Sequence, residues 1–318
     1  MDRFKKVCLT LLLPLLMLGC TCKNRASDWM QDNKKLKVLS TTAQIASLVD
    51  AIGKDRIDGW VLIQGDLDPH SYEMVKGDGE KFTRADVIFY NGLGLEHGAS
   101  LAAILHDSPK ATAVGDQIRL AHPDKILMKG KVIDPHVWMD ISLWQKGIDP
   151  IVEALSQADP EGASHYREQG ALLSAQMDAA HREIVSILRS VPSEKRYLVT
   201  SHDAFQYFSR SYLADPEEVD WSGRFAAPEG LAPEGQLNPR DIQKIIDFLR
   251  SRRISVLFPE SNVSRDSIHK IASAGKELGL EIHICSEPLY GDAMSGLAYL
   301  EMMRHNAQTI AKYLWNTQ

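Results

Sequence analysis

Apolar and polar positions follow two alternating rhythms along this chain, one strand-like and one helical. Lys37-Val38-Leu39-Ser40 reads as a first strand, and Gln44-Ile45-Ala46-Ser47-Leu48-Val49 carries a helical pattern closed by Gly53. Trp60-Val61-Leu62-Ile63 is a second strand, running into the loop that bears His70. Ala85 to Tyr90 is a third, stopped by Asn91-Gly92, and Ala111 to Val114 is a short fourth. Strands alternating with helical stretches predict an α/β fold with a mainly parallel sheet.

Residues 160–190 break that rhythm. Tyr166, Leu173, Met177, Ala180, Ile184 and Ile187 recur at helical spacing and form one apolar stripe. A helix over the whole stretch would run about 46 Å, longer than one small domain needs. It reads as a spine between two lobes, with two helices broken near Gly170 as the alternative. After Pro192 the α/β pattern resumes, with strands at Tyr197–Thr200, Ile254–Phe258 and Glu281–Cys285. Helices are expected over Ala204–Tyr212 and from near Gly296 to Trp315. The expected organisation is an N-terminal α/β lobe at 36–158, a linking helix at 159–190 and a C-terminal α/β lobe at 191–318. Ala214 to Asn238, with Ala-Pro-Glu-Gly at 227–230 and again at 232–235, reads as a surface loop.

The first 35 residues differ from the rest. Arg3, Lys5 and Lys6 precede an apolar run, Val7 to Leu18, that is too short for a comfortable membrane span. It ends in Leu16-Met17-Leu18-Gly19-Cys20 and resembles a bacterial lipoprotein signal, which would make 1–20 a signal peptide and Cys20 the lipidated residue. Residues 21–35 then read as a polar tether. With Cys20 acylated, only Cys22 and Cys285 remain, which is no disulfide framework, though it leaves a single bridge open. A chain of 318 residues can bury two cores, and a net charge of −6 gives nucleic acid no basic surface to bind.

The candidate chemistry lies in loops. Asp68-Pro69-His70 and Asp134-Pro135-His136 repeat one tripeptide, in which proline stiffens the backbone beside each imidazole. His70, His202 and Asp292 each follow a predicted strand, where open α/β sheets bind ligands, and His136 joins them through the repeat. Three imidazoles and a carboxylate make a four-ligand set for a divalent transition metal. The other histidines carry no such signal. His165 and His181 lie on the long helix and His283 in a strand, while His97, His106, His122, His269 and His305 have no partner motif. No His-Glu-x-x-His, Gly-x-Ser-x-Gly or phosphate-binding loop is present.

Taken in order, several motifs resemble one family. These are Asp68-Pro69-His70, Ala85 to Gly92 with Glu96, Asp134 to Asp140, Ser201 to Phe208, Phe258-Pro259-Glu260-Ser261 and Gly291-Asp292-Ala293-Met294. Together they are similar to the TroA-like substrate-binding proteins of ABC importers for zinc, manganese and iron. The resemblance implies two α/β lobes joined by a rigid helix and a metal held between them by His70, His136, His202 and Asp292. It also implies a membrane permease as partner, a monomer in the periplasm or on the outer face of the bacterial membrane, and no enzymatic activity. The chain departs from the family at Gln236, Leu237 and Asn238, where a Glu-Pro-Ser-like motif is usual, and it lacks a histidine-rich loop. Asp140 and Asp203 are the expected orienting partners of the imidazoles. An exported metallohydrolase using the same residues, or a surface adhesin, are the competing expectations.

Overall fold

The computed structural model describes residues 25–232 and 237–316. The expected signal peptide, Cys20, Cys22, and most of the second Ala-Pro-Glu-Gly copy with Gln236 lie outside them. Helix α1 (Arg25–Trp29) precedes strand β1 (Leu36–Ser40), α2 (Ala43–Gly53) and β2 (Ile57–Val61). Next come α3 (Asp78–Arg84), β3 (Val87–Tyr90), α4 (Ala99–Asp107), β4 (Ala111–Ala113) and α5 (Val114–Ala121). The four strands form one parallel sheet in the order β2-β1-β3-β4, with Leu39 of β1 paired to Trp60 and Ile88. Leu62 and Ile63 extend this ladder by donating to the carbonyls of Ser40 and Thr41.

Part of the expected tether is packed. Trp29 of α1 is buried, its Nε1 donates to the Asp58 carbonyl at 2.9 Å, and its ring lies 6.0 Å from that of Trp60.

A small antiparallel hairpin, β5 (Met128–Lys129) and β6 (Val132–Ile133), leads into Asp134-Pro135-His136. It is followed by α6 (Ile141–Trp144), α7 (Ile148–Ala158) and α8 (Ala163–Arg189). The long helix is continuous through Gly170. A Cβ at Gly170 would stand 2.9 Å from Val152 Cγ2, so the glycine lets α7 press against α8 and does not break it. The buried stripe of α8 is Tyr166, Gly170, Leu173, Met177, Ala180, Ile184 and Leu188; Ile187 of the expected stripe is only half-buried. At 27 residues the helix spans about 40 Å. It packs against α2 and α7 of the first lobe and against the terminal helix of the second.

The second lobe repeats the plan in shorter pieces: β7 (Leu198–Val199), α9 (Gln206–Phe208), β8 (Phe225–Ala226), α10 (Pro239–Arg252), β9 (Val256–Leu257), α11 (Asp266–Glu277), β10 (His283–Ile284) and α12 (Tyr299–Asn316). β7 pairs in parallel with β8 and β9 with β10, and Phe258 N–H donates to the Val199 carbonyl to join the pairs. The stretch expected as a surface loop therefore contains a strand. Arg224 explains how the acidic segment folds back, since its buried guanidinium pairs with Glu218 at 2.7 Å and Asp215 at 3.4 Å.

One hydrophobic cluster runs through both lobes, from Val38 and Ile45 to Phe258 and Met302, with the stripe of α8 between them. Among the described residues no helix is long and apolar enough to cross a membrane.

Candidate metal centre

The two Asp-Pro-His copies share a local mechanism. In each, the aspartate Oδ1 accepts the histidine backbone N–H, at 2.9 Å for Asp68 with His70 and 3.0 Å for Asp134 with His136. The side chain thereby closes a turn across a proline that cannot donate. The copies then diverge. Asp134 is buried, and its Oδ1 also lies 2.7 Å from Nδ1 of His136. This contact fixes the ring so that Nε2 faces the cluster.

The His136 loop is anchored from both lobes. Asn91 Nδ2 donates to the Pro135 carbonyl at 3.1 Å, and Tyr207 OH to the Asp134 carbonyl at 3.0 Å. Asn91 is itself held by the buried Glu96, which accepts from Asn91 N–H at 2.8 Å, Gly92 N–H at 3.1 Å and Thr41 Oγ1 at 2.7 Å.

The second lobe contributes from the ends of three strands. His202 follows β7, Glu260 follows β9, and Asp292 lies beyond β10. Glu260 Oε1 accepts the His202 N–H at 2.8 Å, while Oε2 stands 2.7 Å from Nδ1 of the same ring. Gly291 makes this approach possible, because a Cβ there would lie 2.6 Å from Glu260 Oε2. The first lobe grips the same segment. Trp138 Nε1 donates to the Gly291 carbonyl at 3.0 Å and Gln44 Nε2 to the Asp292 carbonyl at 2.8 Å.

These loops bring His70, His136, His202 and Asp292 together, all buried, with one potential ligand atom from each lying within 4.8 Å of the others. Nε2 of His70 and His136 are 3.3 Å apart, and the Asp292 oxygens lie 3.6, 3.4 and 3.1 Å from Nε2 of His70, His136 and His202. A tetrahedral ion with bonds of about 2.0–2.1 Å would require edges of about 3.3–3.4 Å, near the His70–His136 separation and near the contacts that the two Asp292 oxygens make in turn with the three rings. Both Asp292 oxygens and Nε2 of His202 are buried without a hydrogen-bond partner, as befits groups with another use.

The electrostatics follow the carboxylates. Burial pushes the His136 imidazole down, but Asp134 and Asp292 outweigh it and raise its pKa to about 9. His202 is likewise raised well above its ordinary value, against burial, by Glu260 and Asp292. His70 has no carboxylate of its own beyond Asp292, and burial lowers it to about 3. Asp292 stays well below the usual carboxylate range despite burial, because His202 and His136 surround it. His136 and His202 thus favour positive charge beside the buried Asp292 anion, while burial keeps His70 neutral.

The orienting residues are not the expected ones. Asp140 caps α6, accepting from Ser142 N–H at 2.9 Å, and also takes a hydrogen bond from Ser211 at 2.5 Å. Asp203 pairs with Lys129 and accepts from Gln206 Nε2 at 2.8 Å. Asp134 and Glu260 occupy the positions against the imidazoles instead. Glu260 could have been found from sequence, since it is a carboxylate just past a strand end, as His70 and His202 are imidazoles there. His97, which carried no partner motif, lies with its ring centroid 5.7 Å from that of His70. The Ala-Pro-Glu-Gly copy at 227–230 braces the His202 loop: Glu229 N–H donates to the Ser201 carbonyl at 3.3 Å and Asp203 N–H to the Gly230 carbonyl at 3.1 Å.

Two α/β lobes on one long helix, closing over a buried His/Asp cluster, define a metal-receptor architecture. A family described as the periplasmic zinc-uptake complex component A matches residues 38–313, and the chain belongs to that family. It is a family of solute-binding proteins of metal importers, not of enzymes. The chain is 36% identical over 299 residues to the metal-binding protein YtgA of Chlamydia pneumoniae, covering 93% of this chain and 90% of that one. It is 32% identical over 293 residues to the manganese-binding lipoprotein MntA of Bacillus subtilis, covering 89% and 90%. Among solved structures, Fe(III)-bound YtgA from Chlamydia trachomatis superposes with a TM-score of 0.84 at 35% identity, over 88% of this chain and 98% of that one. The periplasmic zinc-binding protein TroA of Treponema pallidum gives 0.79 at 28%, over 88% and 99%.

Proposed function

We propose that this protein captures one divalent transition metal, zinc, manganese or iron, between its lobes and delivers it to the permease of an ABC importer. His70 and His136 from the first lobe and His202 and Asp292 from the second would be the ligands. The carrying observation is the convergence of four buried ligand atoms, drawn from both lobes, within 4.8 Å of one another. The family and the manganese, zinc and iron relatives support the same reading.

A receptor differs from a hydrolase in leaving no position for an activated water. The two nearby carboxylates, Asp134 and Glu260, lie against Nδ1 nitrogens of His136 and His202, where they orient ligands. Neither is placed as a general base, and the metallohydrolase reading is not favoured. We assign lobes at 36–158 and 191–318, a linking helix at 159–190, a monomeric state and lipidation at Cys20 as parts of the same proposal. In it, the anchor holds an extracytoplasmic receptor at the membrane surface.

The test is metal content and affinity of the chain lacking residues 1–20, competed across zinc, manganese and ferrous iron. One tightly bound ion per chain, lost in His136→Ala and in His202→Ala, is the expected result. Unchanged binding in both variants would refute the ligand assignment.

A further inference from the structure

The β5–β6 hairpin of the first lobe reaches across to the second. Its two-residue turn has Gly130 in the left-handed region (φ 64°), which keeps the arm short, and Lys129 pairs with Val132 beside that turn. From there the Lys129 ammonium meets the Asp203 carboxylate, one residue after His202. At the base of the arm Asp134 N–H donates to the Leu127 carbonyl at 3.0 Å, so the arm leads straight into the His136 loop. Two further bonds cross with it. Leu127 N–H donates to Tyr207 OH at 2.9 Å, and Arg210 Nη1 to the Lys125 carbonyl at 2.8 Å.

The two ends of the ion pair differ. Lys129 is exposed and Asp203 buried. Gln206 Nε2 fixes the carboxylate by donating to Oδ1 at 2.8 Å, and Oδ2 takes the ammonium. Beneath the arm lies a cavity of about 530 Å³, lined by Met128 and Lys129 of the hairpin and by Trp221, Phe225 and Phe248 of the second lobe. Met128 and Val132 remain exposed. The arm therefore gains little from apolar burial, and polar contacts such as this pair carry its attachment.

The pair falls where the cluster needs a tie. Asp292 is held to the first lobe by the bonds from Gln44 and Trp138. His202 instead turns its N–H and Nδ1 to Glu260 of its own lobe. The first lobe reaches the His202 loop one residue on, at Asp203.

We propose that Lys129 is a positioning residue which, through Asp203, holds the His202 loop closed over bound metal and sets the rate of metal release. Such a pair acts on dissociation more than on association, because it must break before the loop can part. This rests on the reading of His70, His136, His202 and Asp292 as the ligand set.

The test loads the chain lacking residues 1–20 with Co(II), whose visible bands report its ligands, and follows their loss on stopped-flow mixing with excess EDTA. Lys129→Met is expected to release Co(II) about tenfold faster from an unchanged starting spectrum, the scale of one lost hydrogen bond to a charged group. Lys129→Arg is expected to restore most of the slow rate. In an Asp203→Asn background Lys129→Met should add little, and salt should speed the wild type towards the variant. Release from Lys129→Met at the wild-type rate would overturn the proposal. So would a Lys129→Arg variant as fast as Lys129→Met, or a full effect in the Asp203→Asn background, since either would leave the arm a packing role. An altered starting spectrum in Lys129→Met would also overturn it, by showing disturbed ligand geometry. A wild-type chain that binds no Co(II) would refute the ligand set itself, and with it any release for Lys129 to govern.

Discussion

Glu260 holds His202 at two points, accepting its backbone N–H at 2.8 Å and facing its Nδ1 at 2.7 Å. One carboxylate thus sets both the position of the loop and the direction of the ring. Glu260→Gln is expected to lower metal affinity by about 10–100-fold without unfolding the chain, the usual effect of losing a group that orients a ligand. Competition against a chelator of known affinity reads this out. Wild-type affinity in the variant would show that the ring is aimed by packing alone.

Gly291→Ala should act on the same pair from the other side. Its methyl would meet Glu260 Oε2 at 2.6 Å in a buried setting with little room to yield. Overpacking of this kind costs about 1–3 kcal/mol, so both the melting temperature and the metal affinity should fall. A variant with unaltered melting and affinity would mean that the segment shifts freely, contrary to its hydrogen bonds from Trp138 and Gln44.

Metal should stabilise the fold by mass action. At free metal 100 times the dissociation constant, the gain is about 2.7 kcal/mol, provided that the unfolded chain does not bind. Thermal melts with and without zinc or manganese should show the shift in the wild type and lose most of it in Asp292→Ala. A shift that survives in Asp292→Ala would place the stabilising ion elsewhere.

Acid should weaken the start of the long helix. Asp159 accepts from Tyr166 OH at 2.7 Å, Arg56 Nη2 at 2.7 Å and Gly162 N–H at 3.1 Å. Burial pushes its carboxyl up, but these partners prevail and hold it below the ordinary value of 3.8. A depressed carboxyl stabilises the fold above its unfolded pKa and loses that contribution as pH falls through the folded one. Asp159→Ala should therefore destabilise by about 0.5–2 kcal/mol at pH 7, as lost caps do, and the gap to wild type should close below about pH 4. Denaturant unfolding at pH 7 and pH 3 checks it, and a gap independent of pH would assign the effect to the Tyr166 and Arg56 packing.

Much of this architecture was legible because it rests on periodicity. The apolar runs of β1 and β3 and the stripe of α8 are fixed by which residues must leave water, and such patterns survive without tertiary knowledge. The start of β2 is hidden in the sequence because Ile57-Asp58-Gly59 carries two residues that are rare in strands. β8 leaves no sequence signal because its two residues lie in a segment dense in proline and glycine. The four clustered residues were legible from a repeat and from strand ends. Their orienting carboxylates are not, since Asp140 and Asp203, neighbours of the imidazoles in sequence, are not their neighbours in space. Asp140 instead turns to a helix cap and Asp203 to Lys129, and only the fold brings Glu260 across from another strand.

The hydrogen bonds from Trp138 and Gln44 to the carbonyls of Gly291 and Asp292 have a consequence for how the cluster can part. Asp292 belongs to the second lobe by sequence but is moored to the first by its own backbone. Swinging the lobes apart as bodies would break both buried bonds, at about 0.5–1.5 kcal/mol each, and strain the core that runs across α8. Asp292 is therefore tied to both lobes at once, and the cage cannot open by a rigid swing of one lobe without giving up buried bonds.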